Sequence, residues 1–166
     1  MSKAAFLDRD GVLIIDSGYP HRPEDLVFID GAAAAVRRLN RAGFLVVVAT
    51  NQSGVGRGYF SEADMDRFHR MMCAELERDG AHIDAIYAAP HHPDGVGAYR
   101  HPDPPDRKPN PGMLLRAIAE HGIEPAASFM IGDKPSDLEA ARRAGVAGHL
   151  FEGGDLDALV QKILAA

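Results

Sequence analysis

Two aspartates separated by a single residue follow the first apolar run of the chain. Asp8 and Asp10 come directly after residues 4–7 and precede Gly11. If that run is a strand, side chains two residues apart point to the same side and the two carboxylates converge. Carboxylates about 4 Å apart repel by roughly 4 kcal/mol at an effective dielectric constant near 20, so the pair favours a shared proton or a cation such as Mg²⁺. A strand that ends in two solvated acids is the alternative that this motif leaves open.

Three further sets of polar residues stand beside later apolar runs or in front of a predicted helix. They are Thr50-Asn51, Lys108 and Asp133-Lys134. Each has an ordinary explanation by itself, but the carboxyl ends of parallel strands lie along one edge of a sheet, where all of these side chains would meet. Together they match phosphoryl transfer, with Asp8 as the nucleophile and Mg²⁺ held by Asp8 and Asp133. Thr50 and Lys108 would then hold the phosphoryl oxygens.

Apolar runs that are typical of buried strands alternate with helical patterns along the whole chain. The predicted strands are residues 4–7, 44–49, 83–88, 128–131 and 147–151. This alternation predicts an α/β fold, a three-layer Rossmann-like parallel sheet with helices on both faces. A chain of 166 residues can bury one ordinary core, so we expect residues 1–166 to form a single domain.

Three patterns predict where helices begin, because their side chains can accept hydrogen bonds from free N–H groups of a first helical turn. They are the capping boxes of Ser61 with Asp64 and of Ser136 with Glu139, and the pair Asn110-Pro111, with Asn110 as the N-cap and proline at the first helical position.

Two long irregular segments lie between the predicted elements. Residues 14–30 follow the carboxylate pair directly, so several of their side chains could border the site: Asp16, Ser17, Gly18 and Tyr19. Residues 89–110 contain six prolines and three histidines. A loop of this length inside a compact domain is usually functional or disordered.

Composition excludes several classes of protein. The net charge of −6 and the pI near 5.7 disfavour a general nucleic-acid or acidic-membrane surface. The one cysteine permits no internal disulfide. No charged-then-apolar leader precedes the first strand, and no run approaches the roughly 20 apolar residues of a membrane span. We therefore expect a cytoplasmic protein.

Four short motifs resemble those of the haloacid dehalogenase superfamily. They are Asp-Arg-Asp-Gly at residues 8–11, Thr-Asn-Gln at 50–52, Arg-Lys-Pro at 107–109 and Gly-Asp-Lys at 132–134. Further segments resemble the D,D-heptose 1,7-bisphosphate phosphatases: Gly18-Tyr19, Phe-Ile-Asp-Gly at 28–31, Asn-Gln-Ser-Gly at 51–54, Arg57-Gly58 and Pro-His-His-Pro at 90–93. The resemblance spans residues 5 to about 145 and implies a haloacid dehalogenase-like fold that is essentially capless.

The resemblance implies a Mg²⁺-dependent phosphatase and a role for each site residue. Asp8 would form an aspartyl-phosphate, and Asp10 would protonate the leaving oxygen and then activate water. Mg²⁺ would be bound by Asp8, the backbone carbonyl of Asp10, and Asp133. Thr50 and Lys108 would stabilise the phosphoryl group, which would be the 7-phosphate of D-glycero-D-manno-heptose 1,7-bisphosphate. The implied substrate-binding residues are Asp16, Ser17, Gly18, Tyr19, Thr50, Asn51, Gln52, Ser53, Arg57, Arg107, Lys108 and Lys134.

One segment departs from the family pattern. The family loop carries zinc on Cys-x-His and on a later Cys-x-Cys in front of Arg-Lys-Pro, where this chain has Ala89, His91, Pro104 and Asp106. Structural zinc sites take four ligands, mostly thiolate or imidazole. His91, His92, His101 and Asp106 could form a substitute site. We expect instead a loop without zinc, stiffened by its prolines, in which His92 and His101 are ordinary surface residues.

Other functions share part of this pattern. A histidinol-phosphate phosphatase has the same core motifs, although Arg57 and the Gly18-Tyr19 loop fit the heptose group better. A polynucleotide 3′-phosphatase is disfavoured by the net charge of −6. A non-enzymatic phospho-receiver domain would carry its phosphate on an aspartate of the third strand, where this chain has Ala88-Ala89. We therefore expect a monomer that acts on a small sugar bisphosphate, without nucleic-acid or membrane partners.

Overall fold

A computed structural model describes residues 1–166 and contains one five-stranded sheet. Its strands are β1 (Ala4–Leu7), β2 (Leu45–Asn51), β3 (Ala85–Ala89), β4 (Phe129–Gly132) and β5 (Ala147–Leu150). All neighbouring strands pair in parallel, in the order β3-β2-β1-β4-β5. The predicted parallel α/β sheet is confirmed, and β1 lies at its centre.

The register of the sheet brings three strand ends together. Leu7 at the end of β1 lies opposite Val48 of β2 on one side and Ile131 of β4 on the other. Because all three strands run in the same direction, the residues that follow them emerge at one edge. This edge carries the Asp8, Thr50 and Asp133 segments that the sequence singled out.

Six α-helices complete the fold. They are α1 (Ala32–Arg41), α2 (Ser53–Gly56), α3 (Glu62–Arg78), α4 (Gly112–His121), α5 (Pro135–Arg143) and α6 (Leu156–Ala165). Alternate strand side chains enter two separate cores: Leu7 packs with α1, α3 and α6 on one face, and Phe6 packs with α4 and α5 on the other. The predicted helix layers on both faces are confirmed, and the single shared sheet supports the one-domain prediction.

Of the predicted helix starts, that of α3 is confirmed and that of α4 is wrong. The capping box of α3 is confirmed, since the Asp64 N–H donates to the Ser61 hydroxyl over 3.0 Å. The Asn110 N-cap prediction is wrong, because α4 begins at Gly112 and Pro111 occupies the N-cap position. The Asn110 amide instead donates to the preceding loop, which ties that loop to the start of the helix.

The predicted capping box of α5 is also wrong. The helix begins at Pro135 with Lys134 at the N-cap position, and Asp137 rather than Glu139 reaches back to the N-cap backbone. The Asp137 carboxylate accepts from the Lys134 N–H over 3.1 Å. This earlier start places Asp137 in the first turn, directly at the sheet edge.

Loops rather than an inserted domain follow the carboxyl ends of β1 and β3. Each contains a single 3₁₀ turn, at Pro23–Asp25 and at Gly97–Tyr99. The second loop is tied to the segment after β2 by a hydrogen bond from Val96 N to Gly56 O of 2.7 Å. None of the helices has the length and apolar character that crossing a bilayer requires.

Candidate active site

Asp8 lies directly beyond β1 and is buried beneath the sheet edge. Its backbone N–H donates to Ile131 O over 3.1 Å, which extends the pairing of β1 with β4 and fixes the side chain. Its Oδ1 accepts from the Arg9 N–H at 2.9 Å and from Lys108 Nζ at 3.0 Å. Burial raises the pKa of Asp8 to about 7, with nearby carboxylates adding to the rise and Lys108 opposing it.

Lys108 is the positive charge at the centre of this acidic group. Its Nζ lies 2.6 Å from Asp137 Oδ1 and 3.0 Å from Asp8 Oδ1, and it donates to Ala49 O over 2.8 Å. Three acceptors therefore use the three N–H donors of the ammonium group. Burial opposes the charge, but Asp8 and Asp137 outweigh it and raise the pKa of Lys108. The lysine thus stays charged although only 3% of it is exposed.

Asn51, the last residue of β2, holds the backbone of Lys108 in place. Its side-chain oxygen accepts from the Lys108 N–H at 2.9 Å, and its amide nitrogen donates to Lys108 O at 3.2 Å. This two-way amide contact ties the loop before α4 to the sheet. Asn51 therefore positions the lysine and also lines the cavity above it.

Three carboxylates form one group at this edge. Oxygens of Asp8, Asp133 and Asp137 all lie within 4.8 Å of one another. Asp133 Oδ1 is buried and has no hydrogen-bond partner, and burial raises the pKa of Asp133. A buried acceptor without a partner is costly unless it meets a ligand. The group can therefore hold a divalent cation through hard oxygen ligands.

Two glycines make room for these acids. Gly11 has a φ of +88°, and a Cβ there would overlap the Asp133 carboxylate. A Cβ on Gly132 would overlap Asp137. Substitution at either position would displace a carboxylate, which explains why glycine follows Asp10 and precedes Asp133.

Asp10 lies apart from the three-carboxylate group and has its own donors. Its Oδ1 accepts from Arg9 Nε at 2.7 Å, and its Oδ2 accepts from Arg9 Nη2 at 3.2 Å and Gln52 Nε2 at 3.3 Å. Gln52 Nε2 also donates to the Thr50 hydroxyl oxygen over 2.9 Å. Thr50 is only 1% exposed, so its hydroxyl lies beneath the cavity wall and connects to Asp10 through Gln52.

A cavity of about 610 Å³ opens above these groups. Most of the predicted site residues line it, namely Asp8, Asp10, Asp16, Gly18, Tyr19, Asn51, Gln52, Ser53, Arg57, Arg107, Lys108 and Lys134. Ser17, Thr50 and Asp133 do not form part of its lining: Ser17 is exposed on the loop, Thr50 is buried, and Asp133 is half-buried within the carboxylate group. The structure thus gathers residues from four separate chain segments into one polar cavity.

The wall of the cavity beyond Lys108 is basic. Arg107 Nη1 is buried without a hydrogen-bond partner, and burial, with Arg57 adding to it, lowers the pKa of Arg107. Arg57 Nη1 donates to the Tyr19 hydroxyl over 3.1 Å, which joins the loop after β1 to the segment after β2. Lys108 and Arg107 are neighbours in sequence, yet Lys108 pairs with the carboxylates whereas Arg107 Nη1 has no partner in the protein. An anion is the ligand that this wall would bind.

The comparisons with known proteins agree with this geometry. A family model described as HAD-hydrolase-like matches residues 106–161. A D-glycero-beta-D-manno-heptose-1,7-bisphosphate 7-phosphatase of Rhodopseudomonas palustris is 48% identical over 166 residues, covering 97% of this chain and 89% of its own. A D-glycero-alpha-D-manno-heptose-1,7-bisphosphate 7-phosphatase of Burkholderia mallei is 43% identical, covering 87% of this chain and 77% of its own.

The chain belongs to this family of haloacid dehalogenase-like phosphatases. It is an enzyme that hydrolyses phosphoric monoesters. A family structure, the D,D-heptose 1,7-bisphosphate phosphatase of B. bronchiseptica complexed with magnesium and phosphate, has a TM-score of 0.84 and 34% identity, covering 98% of each chain. The predicted family and the predicted haloacid dehalogenase-like fold are confirmed.

The loop that carries the zinc pattern in this family has other contacts here. His91 packs against Tyr99, with 5.6 Å between ring centroids, and His101 Nδ1 accepts from the Asp103 N–H at 3.0 Å. Asp106 pairs with Arg116 at 2.7 Å. These side chains are engaged separately rather than around one point. That the loop holds no zinc remains a prediction.

Two residues that the sequence analysis did not assign to the site belong to it. Asp137 joins the carboxylate group and pairs with Lys108. The sequence feature that could have indicated it is an acid four residues after Asp133, in the first turn of α5.

The second residue is His92, which lines the cavity, so its prediction as an ordinary surface residue is wrong. Burial, with Arg107 and Arg57 adding to it, lowers the pKa of His92. Its Nδ1 accepts from the Asp94 N–H at 2.9 Å, which leaves the ring proton on Nε2.

Proposed function

We propose that the enzyme removes the 7-phosphate of D-glycero-D-manno-heptose 1,7-bisphosphate through an aspartyl-phosphate on Asp8. One observation carries the proposal: a single cavity joins a carboxylate–lysine centre that suits phosphoryl transfer to a basic wall with an unpartnered guanidinium nitrogen. A bisphosphate has one phosphate for the carboxylate–lysine centre and a second for the basic wall. Relatives over nearly the whole chain bear the name of a heptose bisphosphate 7-phosphatase, which supports the same substrate.

In the first step, one Asp8 oxygen attacks phosphorus and the bond to the sugar oxygen breaks. Lys108 keeps its charge beside Asp8, so it favours the ionised nucleophile and stabilises the negative oxygens of the transferring group. Asp10 gives a proton to the departing sugar alcohol. In the second step, Asp10 takes a proton from water, which attacks phosphorus and releases phosphate from Asp8.

The donors at the sheet edge fit Mg²⁺. Asp8, Asp133 and Asp137 offer hard oxygens within 4.8 Å of one another, and Asp133 Oδ1 has no partner within the protein. Asp8, Asp133 and the backbone carbonyl of Asp10 would be the direct ligands, while Asp137 holds Lys108 and completes the negative group. When bound, Mg²⁺ supplies positive charge that favours ionised Asp8 and neutralises phosphoryl oxygens.

Removal of divalent cations should silence the enzyme. We expect EDTA to abolish phosphate release and Mg²⁺ alone to restore it, because the buried acids otherwise repel the anionic substrate. The measurement is phosphate release after EDTA treatment and after readdition of Mg²⁺ or Zn²⁺, together with the metal content of protein purified without added metal. Stoichiometric zinc in that protein would contradict the prediction for residues 89–106.

The basic wall favours a bisphosphate over histidinol phosphate. Arg107 and Arg57 both line the cavity, and the unpartnered Arg107 nitrogen suits a second phosphate. Histidinol phosphate would bring an ammonium group toward the same guanidinium groups, and like charges repel. The cavity therefore favours a sugar bisphosphate over histidinol phosphate as the substrate.

Replacing Arg107 with alanine should impair substrate recognition rather than the chemical step. Loss of a charge-assisted hydrogen bond typically costs about 1.5–3 kcal/mol, which corresponds to roughly a 10- to 100-fold lower kcat/KM for the heptose bisphosphate. Hydrolysis of p-nitrophenyl phosphate, which has no second phosphate, should change far less. Steady-state kinetics with both substrates tests this, with Arg100→Ala on the exposed part of the same loop as the control. An equal loss for the two substrates would rule out the recognition role.

The substrate itself is tested by a panel of phosphate esters. We expect release from the α- or β-anomer of heptose 1,7-bisphosphate to exceed release from histidinol phosphate, with heptose 1-phosphate as the product. The relatives are named for both anomers, so both belong in the panel. Faster hydrolysis of histidinol phosphate than of either anomer would overturn the assignment.

The monomeric state stays a prediction. The net charge of −6 supports a small-molecule substrate over nucleic acid. The cytoplasmic location stays a prediction.

A further inference from the structure

Arg9 lies between the two key aspartates but points away from the phosphoryl centre. Its side chain is completely buried, at 0% exposure. A buried guanidinium group is costly unless its donors are satisfied, so its partners indicate what it does. The proposed chemistry assigns no role to this charge.

The guanidinium group of Arg9 contacts three parts of the chain. Nε and Nη2 donate to the two carboxylate oxygens of Asp10 over 2.7 and 3.2 Å, in a bidentate arrangement. Nη2 also donates to Pro20 O over 2.9 Å, and Nη1 lies 3.0 Å from His69 Nε2. The group also stacks over Phe68, with 4.8 Å from its central carbon to the ring centroid. Four donor contacts thus fix its plane, and with it the plane of the Asp10 carboxylate.

His69, on α3, completes the support behind Arg9. Arginine is always charged and has no acceptor, so His69 Nε2 must present a lone pair and the ring proton must be on Nδ1. Burial, reinforced by the charge of Arg9, lowers the pKa of His69 to about 3. The imidazole is therefore a neutral acceptor near neutral pH. It holds the guanidinium nitrogen on the side opposite Asp10.

We propose that Arg9 and His69 are positioning residues for Asp10: the buried His69–Arg9 pair fixes the orientation in which the protonated Asp10 carboxyl group delivers its proton to the leaving oxygen of the sugar. The inference rests on the proposed general-acid role of Asp10. Neither residue lines the cavity, so both would act through the bidentate contact of Arg9 with Asp10.

The leaving group distinguishes this role from a purely structural one. The heptose ester releases a primary alkoxide, which must be protonated as it departs. p-Nitrophenyl phosphate releases a stable phenolate, which needs no acid. A misplaced Asp10 should therefore slow release of the sugar and spare release of the phenolate. A general loss of structure would slow both.

The experiment measures release of the leaving group in a single turnover with Mg²⁺, for heptose 1,7-bisphosphate and for p-nitrophenyl phosphate. Release precedes hydrolysis of the aspartyl-phosphate, so the later base role of Asp10 does not enter. Asp10→Asn gives the full general-acid effect, expected at about 10²–10⁴-fold for the sugar ester. His69→Leu and Arg9→Lys should slow release of the sugar by roughly 10- to 100-fold. They should slow release of the phenolate by less than about threefold. His69→Gln, whose amide oxygen can accept from Arg9, should recover most of the rate.

The control is Met72→Ala, which removes a buried side chain from the same helix but none of the polar partners of Arg9. It should destabilise the fold but show no preference between leaving groups. Equal losses on both esters in folded His69→Leu and Arg9→Lys would overturn the inference, as would a normal rate on the sugar ester. If Asp10→Asn itself shows no preference, the general-acid assignment fails, and the inference fails with it. If His69→Leu does not fold, the comparison of Arg9→Lys with wild type decides.

Discussion

Asp8→Asn should lower kcat by at least about 10⁴-fold with every phosphate ester, because loss of a covalent nucleophile removes the enzymatic route almost entirely. The amide cannot attack phosphorus. The fold should survive, since the asparagine oxygen can still accept from Lys108 Nζ, which lies 3.0 Å from the native carboxylate. Removing one charge from the group of Asp8, Asp133 and Asp137 should also leave the thermal midpoint of the metal-free protein unchanged or higher.

The measurement combines kcat with the thermal unfolding of purified wild type and Asp8→Asn. Asp94→Asn is the matched control, because Asp94 has a 75% exposed side chain near the cavity and takes no part in the proposed chemistry. The control should keep wild-type activity. Substantial turnover by folded Asp8→Asn would remove Asp8 from the role of nucleophile.

Lys108→Met should lower kcat/KM by roughly 10²–10³-fold for the heptose bisphosphate and for p-nitrophenyl phosphate alike, because the charge acts on the phosphoryl group that both share. The same change should destabilise the metal-free protein. Asp8 and Asp137 would lose the ammonium group that lies 3.0 and 2.6 Å from their oxygens, and removing one partner of a buried pair typically costs about 3–5 kcal/mol. Mg²⁺ should restore part of this stability by replacing the lost positive charge.

Kinetics with both substrates and unfolding with and without Mg²⁺ test these statements. Lys162→Met, on an exposed surface of α6, is the control for loss of a lysine charge and should change neither quantity. A loss of activity confined to the bisphosphate would assign Lys108 to substrate recognition instead of phosphoryl transfer. Unchanged stability would show that the buried ion pairs do not balance the acids.

The sequence predicted the sheet and most of the cavity because both depend on local patterns. Apolar runs mark strands, and parallel strands bring the residues that follow them to one edge, so the positions of Asp8, Thr50 and Asp133 could be inferred from the sequence alone. Strand ends differed by one or two residues, as β2, which continues to Asn51, illustrates.

Asp137, Arg9 and His69 show what local patterns could not predict. The sequence pattern placed the N-cap of α5 at Ser136. The helix instead begins at Pro135, and this earlier start points the Asp137 side chain toward the site. The contact of Arg9 with His69 joins residues 60 positions apart, and no periodicity encodes it. The place of His92 on the cavity wall likewise depends on the path of the proline-rich loop.

The central claim, a covalent phosphoryl intermediate on Asp8, is tested most directly by the mass of acid-quenched Asp10→Asn protein after reaction with p-nitrophenyl phosphate and Mg²⁺. The phenolate leaves without an acid, and the variant lacks the base that activates water, so the intermediate should accumulate. We expect the protein to gain the mass of one phosphoryl group, peptide mapping to place this group on Asp8, and hydroxylamine to remove it. Release of phenolate without any gain in mass, or a phosphoryl group on another residue, would contradict the account.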